Sequence, residues 1–491
     1  MFKKGFVPIV IVLIITLLAA GGITSYLFIK NKPPKIIGGD TDSHGCLISA
    51  GYSWCEAKQK CLRTWEESCD ETTTTISTTT TTTTILLTTT ITSTLITATT
   101  TTKPSTTTTT INKLNKRAVV IVYKNVYDSL KLDIDNFQKD VATNLGVEIN
   151  IIQLQDSLSF SPLDIRNLLI KECQLDGVNG CSNLEGAVLV GDIPYALYEQ
   201  VYDGNHLAPF MYFYEDLDAS FKQNDLGHYY GYDGYGLHGG SEIYTGWIRS
   251  TFLATDFNNY INELRAYFQK HHNFFTKQTI PSNRAVSAIH VPNYNYPFSI
   301  PNLGLTIYGT NNSINIMPDI ADNLAPFKPA LLAEFSKGPE VAYLHSHGGP
   351  TEVWGLTASD LSGLTNLPLF TLTWGCTNGN FMENQKDSIA LAFIHGKNLG
   401  LSFLGKLDST DIDVYSGNCP NCGWFLNNQV DFFRYLNKGQ YVGEAWLNVE
   451  HDFADYKNSL GEPVGNLYKL SGPLQRIIIG SPFIYIPTAR K

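Results

Sequence analysis

The sequence predicts an α/β protein in which a transmembrane helix, a small cysteine-rich module and a threonine-rich stalk precede a large globular domain. Three observations support this organisation. Residues 5–29 form one apolar run, residues 72–110 are mostly threonine, and short apolar runs alternate with amphipathic stretches from residue 117 onward. Such alternation is typical of strands and helices that follow one another in an α/β domain.

The composition limits the function classes that the chain can serve. Of its 491 residues 43% are hydrophobic, which is enough to bury a core and excludes a wholly disordered protein. The 35 basic and 45 acidic side chains give a net charge of −10, and no long run of lysine or arginine occurs. We therefore expect no nucleic-acid partner.

The N-terminal 35 residues predict a membrane anchor. The run from residue 5 to residue 29 contains no charged side chain and is long enough to cross a hydrocarbon core of about 30 Å. A cleaved signal peptide is the alternative, but its apolar region is usually only about 7–15 residues long. We favour an uncleaved signal anchor with its helix at about residues 6–29, which predicts a single-pass protein of the cell membrane with the bulk of the chain extracytoplasmic.

Residues 36–71 predict a small disulfide-rich module. They contain four cysteines, Cys46, Cys55, Cys61 and Cys69. So short a segment buries too little apolar surface to fold alone, and two disulfides would stabilise it. Three connectivities are open. A zinc site is the alternative, but it would require closer paired ligands and a reducing compartment.

Residues 72–112 predict an extended stalk. Threonine occupies 26 of the 39 positions from 72 to 110. A segment of this composition cannot form a packed core, and it is typical of O-glycosylated stalks or of bare flexible linkers. In either case it would hold the following domain away from the membrane.

Residues 113–491 have an ordinary globular composition with a β-α-β-α-β order at the start. This order predicts a mostly parallel sheet with helices on both faces. The predicted helices cover 133–145 and 163–173. The predicted strands cover 117–123, 146–154, 186–192, 243–248, 284–291, 341–344, 369–374, 396–404 and 476–486.

Two of the predicted strands run directly into reactive side chains. The strand VAYL leads into a segment containing His347-Gly348, and the strand LFTLTW leads into Gly375-Cys376. Ligands of open α/β sheets lie beyond the carboxyl ends of the strands, where neighbouring strand ends could bring a thiol and a base together. A thiol needs such a base to become a thiolate near pH 7. The backbone amides of Cys376 and Gly348 could then form an oxyanion hole.

The cysteine count also points to Cys376. Of the nine cysteines, four belong to the small module. We expect a disulfide between Cys173 and Cys181, which flank a glycine-containing loop. Cys419 and Cys422 lie in the sequence CPNC. For the CPNC pair a structural disulfide is favoured over a redox pair or a zinc knuckle. Cys376 is then the ninth cysteine, and an odd thiol in a secreted protein is either reactive or pairs between chains.

Several motifs resemble those of one family. HGGPTEVWG (347–355) looks like the HGSETAWG of the gingipain family, and WGCTNGNF (374–381) looks like its ACVNGDF. Upstream, EGAVLVGDIP and EIYTGWIRS resemble its LLVGD and EVFIGR segments. RIIIGSPFIYI (476–486) resembles its V-F-G-D-P-S-L segment, with Ser481 where aspartate is usual. Over about residues 117–490 the chain therefore resembles the gingipain-type, caspase-like (clan CD) cysteine peptidases.

The resemblance implies a fold and an activity. The fold would be a caspase-like, gingipain-like α/β sandwich in two subdomains, 113–280 and 281–491. Cys376 would be the nucleophile and His347 the general base of an endopeptidase that acts on polypeptides and requires no cofactor. His345 is the competing histidine. A metal pair formed by the two histidines lacks a third clustered ligand.

The chain also departs from the family pattern. The acid that orients the histidine in gingipains follows a strand like that at 284–291, but here that strand leads into Pro292 without a carboxylate. Asn293 could orient the imidazole instead, as could Asn295. No pocket aspartate follows, so a preference for arginine or lysine is not predicted. Trp354 and Trp374 flank the motifs and could line a substrate pocket or belong to the core.

The segment 214–236 predicts a possible calcium site. It carries four aspartates, Asp216, Asp218, Asp225 and Asp233. Calcium prefers such hard oxygen ligands. The alternative is a solvated loop between two strands.

Two functions compete with the peptidase. An inactive peptidase fold could serve as a surface binding or adhesion protein, since the orienting acid is missing and Ser481 replaces aspartate. A structural envelope protein could instead use Cys376 for an intermolecular disulfide.

Overall fold

A computed structural model gives the structure of the chain. It describes residues 44, 46, 53–55, 58–62, 116–156, 159–174, 181, 183–200, 206–234, 240–289, 305–316, 327–407, 423–459 and 476–490. The chain divides into two compact units, residues 1–106 and residues 107–491. Within the ranges just given, no helix is long and apolar enough to cross a membrane. The predicted anchor helix at 6–29 and the predicted stalk at 72–112 lie outside these ranges.

The first unit contains a two-stranded antiparallel sheet stabilised by disulfides. Strand β1 (Ser53–Cys55) pairs with β2 (Lys60–Leu62). A disulfide joins Cys46 to Cys61, and Cys55 is also disulfide-bonded. The prediction of disulfides in this module is therefore confirmed for these three cysteines, whereas Cys69 lies outside the described residues.

The second unit alternates strands and helices. Its main strands are β3 (Lys116–Tyr123), β4 (Val147–Leu154), β5 (Leu184–Val190), β10 (Tyr244–Ile248), β11 (Ser282–Ile289), β12 (Ser313–Ile316), β13 (Pro339–His345), β17 (Phe370–Thr373), β18 (Ser402–Lys406) and β19 (Arg476–Gly480). Its short strands are β6 (Leu197–Gln200), β7 (His206–Pro209), β8 (Ser220–Gln223), β9 (Tyr229–Gly234), β14 (Gly348–Gly349), β15 (Glu352–Val353) and β16 (Leu356–Thr357). Its α-helices are α1 (Lys124–Leu145), α2 (Pro162–Gln174), α3 (Tyr212–Glu215), α4 (Phe257–Phe275), α5 (Gly309–Asn312), α6 (Lys328–Phe335), α7 (Ala358–Ser362), α8 (Ile389–Ile394), α9 (Gly423–Asn437) and α10 (Val442–Ser459).

The ten main strands form one sheet made of two parallel halves. The strand order is β12-β11-β13-β17-β18-β19-β10-β5-β3-β4. All neighbours are parallel except β18 and β19, which are antiparallel. We call β19, β10, β5, β3 and β4 the first half-sheet, and β12, β11, β13, β17 and β18 the second half-sheet. Their carboxyl ends therefore lie at opposite edges of the sheet.

The sequence explains why the strands form a central layer. Strands β10, β13 and β18 are buried along their whole length, and the middle of β3 is a buried run of alanine, valine and isoleucine. Continuous burial is what a parallel sheet covered on both faces requires, and it explains the absence of polar alternation in these runs. The predicted mostly parallel sheet is confirmed, and this mixed α/β architecture is consistent with the predicted caspase-like fold.

Two predicted strand boundaries are wrong, for a backbone reason. The strand predicted at 396–404 begins only at Ser402, because Leu399 and Gly400 have positive φ angles of 56° and 67°. The strand predicted at 476–486 ends at Gly480, which has a φ of 97°. Residues in this left-handed region cannot continue a strand.

The predicted boundary near residue 280 falls between α4 and β11. Here the chain leaves the first half-sheet and enters the second. The last strand, β19, then returns to the first half-sheet, where it pairs with β10. The first half-sheet is therefore built from both the beginning and the end of the second unit.

The second unit also contains one disulfide of its own. Cys173, near the end of α2, is bonded to Cys181, as predicted from the cysteine count. Cys419 and Cys422 lie outside the described residues.

Candidate active site

His347 and Cys376 follow two neighbouring parallel strands, each by the same number of residues. In the parallel pair β13 and β17, Leu344 lies opposite Thr373, and the amide of Trp374 donates to the carbonyl of Leu344 at 2.7 Å. His347 and Cys376 each lie three residues beyond that pair. Because the carboxyl ends of neighbouring parallel strands lie at the same edge of a sheet, both residues follow their strands at one edge.

The backbone of His347 is fixed although its imidazole is exposed. Its carbonyl oxygen accepts from the amide of Trp354 at 3.0 Å and from the hydroxyl of Ser346 at 2.8 Å. The chain then turns back in the three-stranded sheet β14-β15-β16. The imidazole can therefore meet a ligand without a rearrangement of the main chain.

Cys376 begins a tight loop after β17. Its side chain is half-buried, and of the cysteines that the structure describes it is the one that retains a thiol. The next residue, Thr377, has a positive φ of 52°, and the amide of Gly379 donates to the carbonyl of Lys406 at 2.7 Å. The loop is thereby fixed to the end of β18.

His345, the competing histidine, belongs to the core. It is 6% exposed, and its Nδ1 lies 3.1 Å from the hydroxyl of Tyr343. That hydroxyl also donates to the amide oxygen of Gln429 on α9. Of the two histidines, His347 is thus the one that is exposed to solvent.

The two tryptophans have different environments. Trp374 is buried, and the guanidinium carbon of Arg476 lies 3.3 Å from the centre of its ring. Trp354 is partly exposed and has a positive φ of 51°. Trp374 therefore packs in the core beside the site, while Trp354 remains next to the backbone of His347.

The structure adds Asn378 to this region, a residue to which sequence reasoning gave no role. It is fully buried, and its side-chain amide donates to the carbonyls of Gly349 and Glu352 in the turn after His347. Its position in the motif WGCTNGNF was the only signal in the sequence. The hydrogen bonds that give it a role become visible only when the two loops are placed together.

A second polar cluster lies outside this site. One carboxylate oxygen each from Asp216, Asp218 and Glu242 come within 4.8 Å of one another. Of the other two predicted calcium ligands, Asp225 lies in the turn between β8 and β9 and is not one of these three, and the side chain of Asp233 in β9 is outside the described residues. Glu242 was missed, because the fold rather than the sequence spacing brings it to the two aspartates.

The surroundings of this cluster keep its carboxylates in place. Burial raises the pKa of Glu242, and the nearby Asp216 raises it further. The amide of Leu217 donates to Glu242 at 2.5 Å. The buried guanidinium of Arg166 donates to the carbonyls of Asp216 and Ala219 at 2.8 and 2.7 Å. Three hard carboxylate oxygens gathered this closely are the ligand type that a divalent cation such as calcium prefers.

Two further residues concern the departures from the family pattern. Asn293, the suggested orienting residue, lies outside the described part of the chain. Ser481 follows β19, whose Gly480 pairs with Ser402 at the amino end of β18. That end lies roughly 13 Å from the carboxyl end of β18, at about 3.3 Å per residue. Ser481 is therefore at the edge opposite Cys376.

Comparisons with known proteins agree with the motifs. The model of peptidase family C25 matches residues 232–469. A search of curated protein sequences found no match to the chain.

Similarity to solved structures is weak. A chain in the crystal structure of the Saccharomyces cerevisiae separase–securin complex is 14% identical, with a TM-score of 0.26, over 49% of this chain and 15% of that chain. A sugar ABC transport substrate-binding protein from Bordetella parapertussis is 10% identical, with a TM-score of 0.15, over 60% of this chain and 75% of that one. A fatty acid ABC transporter substrate-binding protein from Thermomonospora curvata is 10% identical, with a TM-score of 0.17, over 69% and 74%.

The family match spans both motifs, HGGPTEVWG and WGCTNGNF, and it confirms the resemblance to gingipain-type cysteine peptidases. Over residues 232–469, just under half of the chain, the sequence is similar to peptidase family C25, a family of clan CD cysteine peptidases.

Proposed function

We propose that the protein is a membrane-anchored, extracytoplasmic cysteine endopeptidase in which Cys376 is the nucleophile and His347 the general base. The observation that supports this proposal is the register of β13 and β17, in which His347 and Cys376 each follow the paired residues by three positions. The half-exposed thiol and the exposed imidazole both remain accessible to a substrate.

The mechanism follows from these groups. His347 takes the proton of the Cys376 thiol, and the thiolate attacks the carbonyl carbon of the scissile peptide bond. The backbone amides of Cys376 and Gly348 are the proposed donors to the resulting oxyanion. His347 then gives its proton to the leaving amine, and water releases the acyl group from the thiol.

An activity-based probe tests this proposal. The full-length chain in detergent would be titrated with an acyloxymethyl ketone, alongside Cys376→Ala and His347→Ala. We expect stoichiometric labelling of the wild type and its loss in both variants. Labelling that survives in His347→Ala would contradict the role of that histidine. A folded wild type that does not label, with calcium and mild reductant present, would favour the inactive surface binding protein.

The location is the second part of the proposal. The apolar run at 5–29 supports a membrane anchor, and the disulfides Cys46–Cys61 and Cys173–Cys181 support an oxidising compartment. Extraction of cell membranes with alkaline carbonate tests the anchor, because an anchored chain stays in the pellet. Release of the intact chain into the supernatant would contradict it.

A structural calcium ion is the third part. Asp216, Asp218 and Glu242 are the side chains that would hold it, since their oxygens converge within 4.8 Å. We expect calcium to raise the melting temperature of the wild type. Glu242→Gln should need at least ten times more calcium for the same rise. Asp225→Asn, in the turn between β8 and β9, is the matched control and should respond as the wild type does. An equal calcium response in Glu242→Gln would remove this site.

A further inference from the structure

We propose that Asn378 is a positioning residue that joins the loop after His347 to the loop after Cys376 and thereby sets the distance between the two side chains. The inference rests on the proposed peptidase function. It assigns to one buried amide the task of aligning two loops that belong to different strands.

The hydrogen bonds of Asn378 cross from one loop to the other. The residue lies two positions after Cys376 and is fully buried. Its Nδ2 donates to the carbonyl of Gly349 at 2.7 Å and to that of Glu352 at 2.8 Å. Both acceptors belong to the hairpin that begins directly after His347, where Gly349 pairs with Glu352. Both protons of the amide are therefore used to hold the histidine loop.

The same amide explains the two glycines that flank the pair. A methyl group on Gly348 would lie 2.5 Å from Nδ2 of Asn378, and one on Gly375 would overlap its Oδ1. Carbon atoms do not approach nitrogen or oxygen so closely without displacement. The glycine after His347 and the glycine before Cys376 thus leave room for one and the same side chain.

The loop after Cys376 is held by hydrogen bonds other than those of Asn378. The amide of Gly379 donates to the carbonyl of Lys406 at 2.7 Å, and the amide of Asn380 donates to the carbonyl of Thr377 at 2.9 Å. Because Asn378 holds the histidine loop, that loop is in turn fixed relative to the end of β18. Within the described residues Oδ1 of Asn378 has no hydrogen-bond partner. A buried acceptor left in this way is destabilising, which a purely stabilising side chain would avoid.

The pH dependence of thiol alkylation measures the alignment. Cys376 of the full-length protein would be alkylated with iodoacetamide between pH 5 and pH 9, and the modified peptide would be quantified by mass spectrometry. A thiol paired with an imidazole has a pKa below its ordinary value of about 8.5. We expect Asn378→Ala to move the apparent pKa of Cys376 up toward that value. At pH 6 the alkylation should slow at least tenfold.

Asn380 provides the matched control. It is equally buried and lies in the same loop, but its Nδ2 donates to the carbonyl of Leu207 at 3.0 Å rather than to the histidine loop. Asn380→Ala should lower the melting temperature without moving the apparent pKa of Cys376. A merely structural role of Asn378 would give the same result in both variants.

Three outcomes decide the matter. A folded Asn378→Ala with the wild-type pH profile would overturn the inference. If that variant does not fold, Asn378→Asp keeps the size of the side chain but turns an oxygen toward the two carbonyls, and an unchanged profile in it would overturn the inference equally. If the wild-type thiol itself titrates near its ordinary value and His347→Ala changes nothing, the peptidase proposal falls together with the inference.

Discussion

The two half-sheets have the same parallel architecture, yet their carboxyl edges differ in their side chains. One edge carries an ion pair with a buried arginine, and the other carries an accessible histidine and cysteine. At the edge of the first half-sheet, Asp192 follows β5 and Arg249 follows β10, and the two form an ion pair at 3.0 Å. Arg249 is buried, and its guanidinium carbon lies 4.7 Å from the centre of the Phe381 ring. At the edge of the second half-sheet, His347 is exposed and Cys376 is half-buried.

The difference shows that a carboxyl edge alone does not identify a site. The general rule for open sheets applies equally to both edges of this protein. At the first edge Arg249 and Asp192 neutralise each other, and the guanidinium lies over aromatic rings, so we assign this pair a structural role. At the second edge the proposed nucleophile and the proposed base are both accessible to solvent. Whether such a side chain has a structural or a chemical role depends on its partners and not on its place in the topology.

The largest expected effect is on peptidase activity and comes from a change at the second edge. His347→Ala should lower peptidase activity about 10³-fold, because it removes the general base. Since the imidazole is exposed, the free energy of unfolding should change by less than about 0.5 kcal/mol. Hydrolysis rates and urea unfolding of the same preparation measure both quantities. A stable variant with wild-type activity would assign the base elsewhere.

The second prediction concerns the stability of the first edge. Arg249→Met keeps the volume of the side chain but leaves Asp192 without its ion-pair partner, so we expect a loss of about 3 kcal/mol in the free energy of unfolding. Adding Asp192→Asn should recover part of the loss, because it removes the unpaired charge. Urea unfolding at pH 7 is the measurement. A loss as small as that of His347→Ala would show that the two edges do not differ as described.

The third prediction concerns pH and again the first edge. Burial lowers the pKa of His271 to about 3, and the neighbouring His272 adds to the effect. The folded state keeps this imidazole neutral, whereas the unfolded chain binds a proton below its ordinary pKa of 6.5. The stability that His271 contributes is therefore complete above pH 6.5 and is lost as the pH falls toward 3, by about 2 kcal/mol at pH 5.

The variant His271→Gln isolates this titration. Its unfolding free energy should fall less steeply than that of the wild type between pH 7 and pH 4. Urea unfolding at several pH values measures the two slopes. Equal slopes would mean that another group causes the loss at acid pH.

The smallest expected effect concerns Ser481, where the family usually has aspartate. Its hydroxyl accepts from the amide of Phe483 at 3.2 Å and lies 3.2 Å from Nε2 of His271. Ser481→Ala should cost about 1 kcal/mol of stability. Peptidase activity should not change, because Ser481 lies at the edge opposite Cys376. A fall in activity without a change in stability would connect this position to catalysis and weaken the comparison.

The sequence was sufficient for the local parts of the fold. Buried apolar runs such as Lys116–Tyr123 and Pro339–His345 identify themselves as strands, because both faces of a parallel strand are covered. The positions of His347 and Cys376 beyond two neighbouring strands could be predicted for the same reason. The family match supports this interpretation over residues 232–469.

What could not be predicted depends on distant parts of the chain. The strand Arg476–Gly480 inserts between β18 and β10, a pairing that no local pattern indicates. Glu242 lies beside Asp216 and Asp218 through the tertiary structure and not through sequence spacing. The role of Asn378 requires two loops to be in place, because its hydrogen bonds span 29 and 26 residues.

Cleavage of a polypeptide by the purified protein tests the central claim most directly. A denatured protein substrate would be incubated with the wild type and with Cys376→Ser, in the presence of mild reductant and calcium, and the products would be identified by mass spectrometry. We expect internal cleavage by the wild type and none by Cys376→Ser at equal stability. Intact substrate with a folded wild type, or equal cleavage by both proteins, would contradict it.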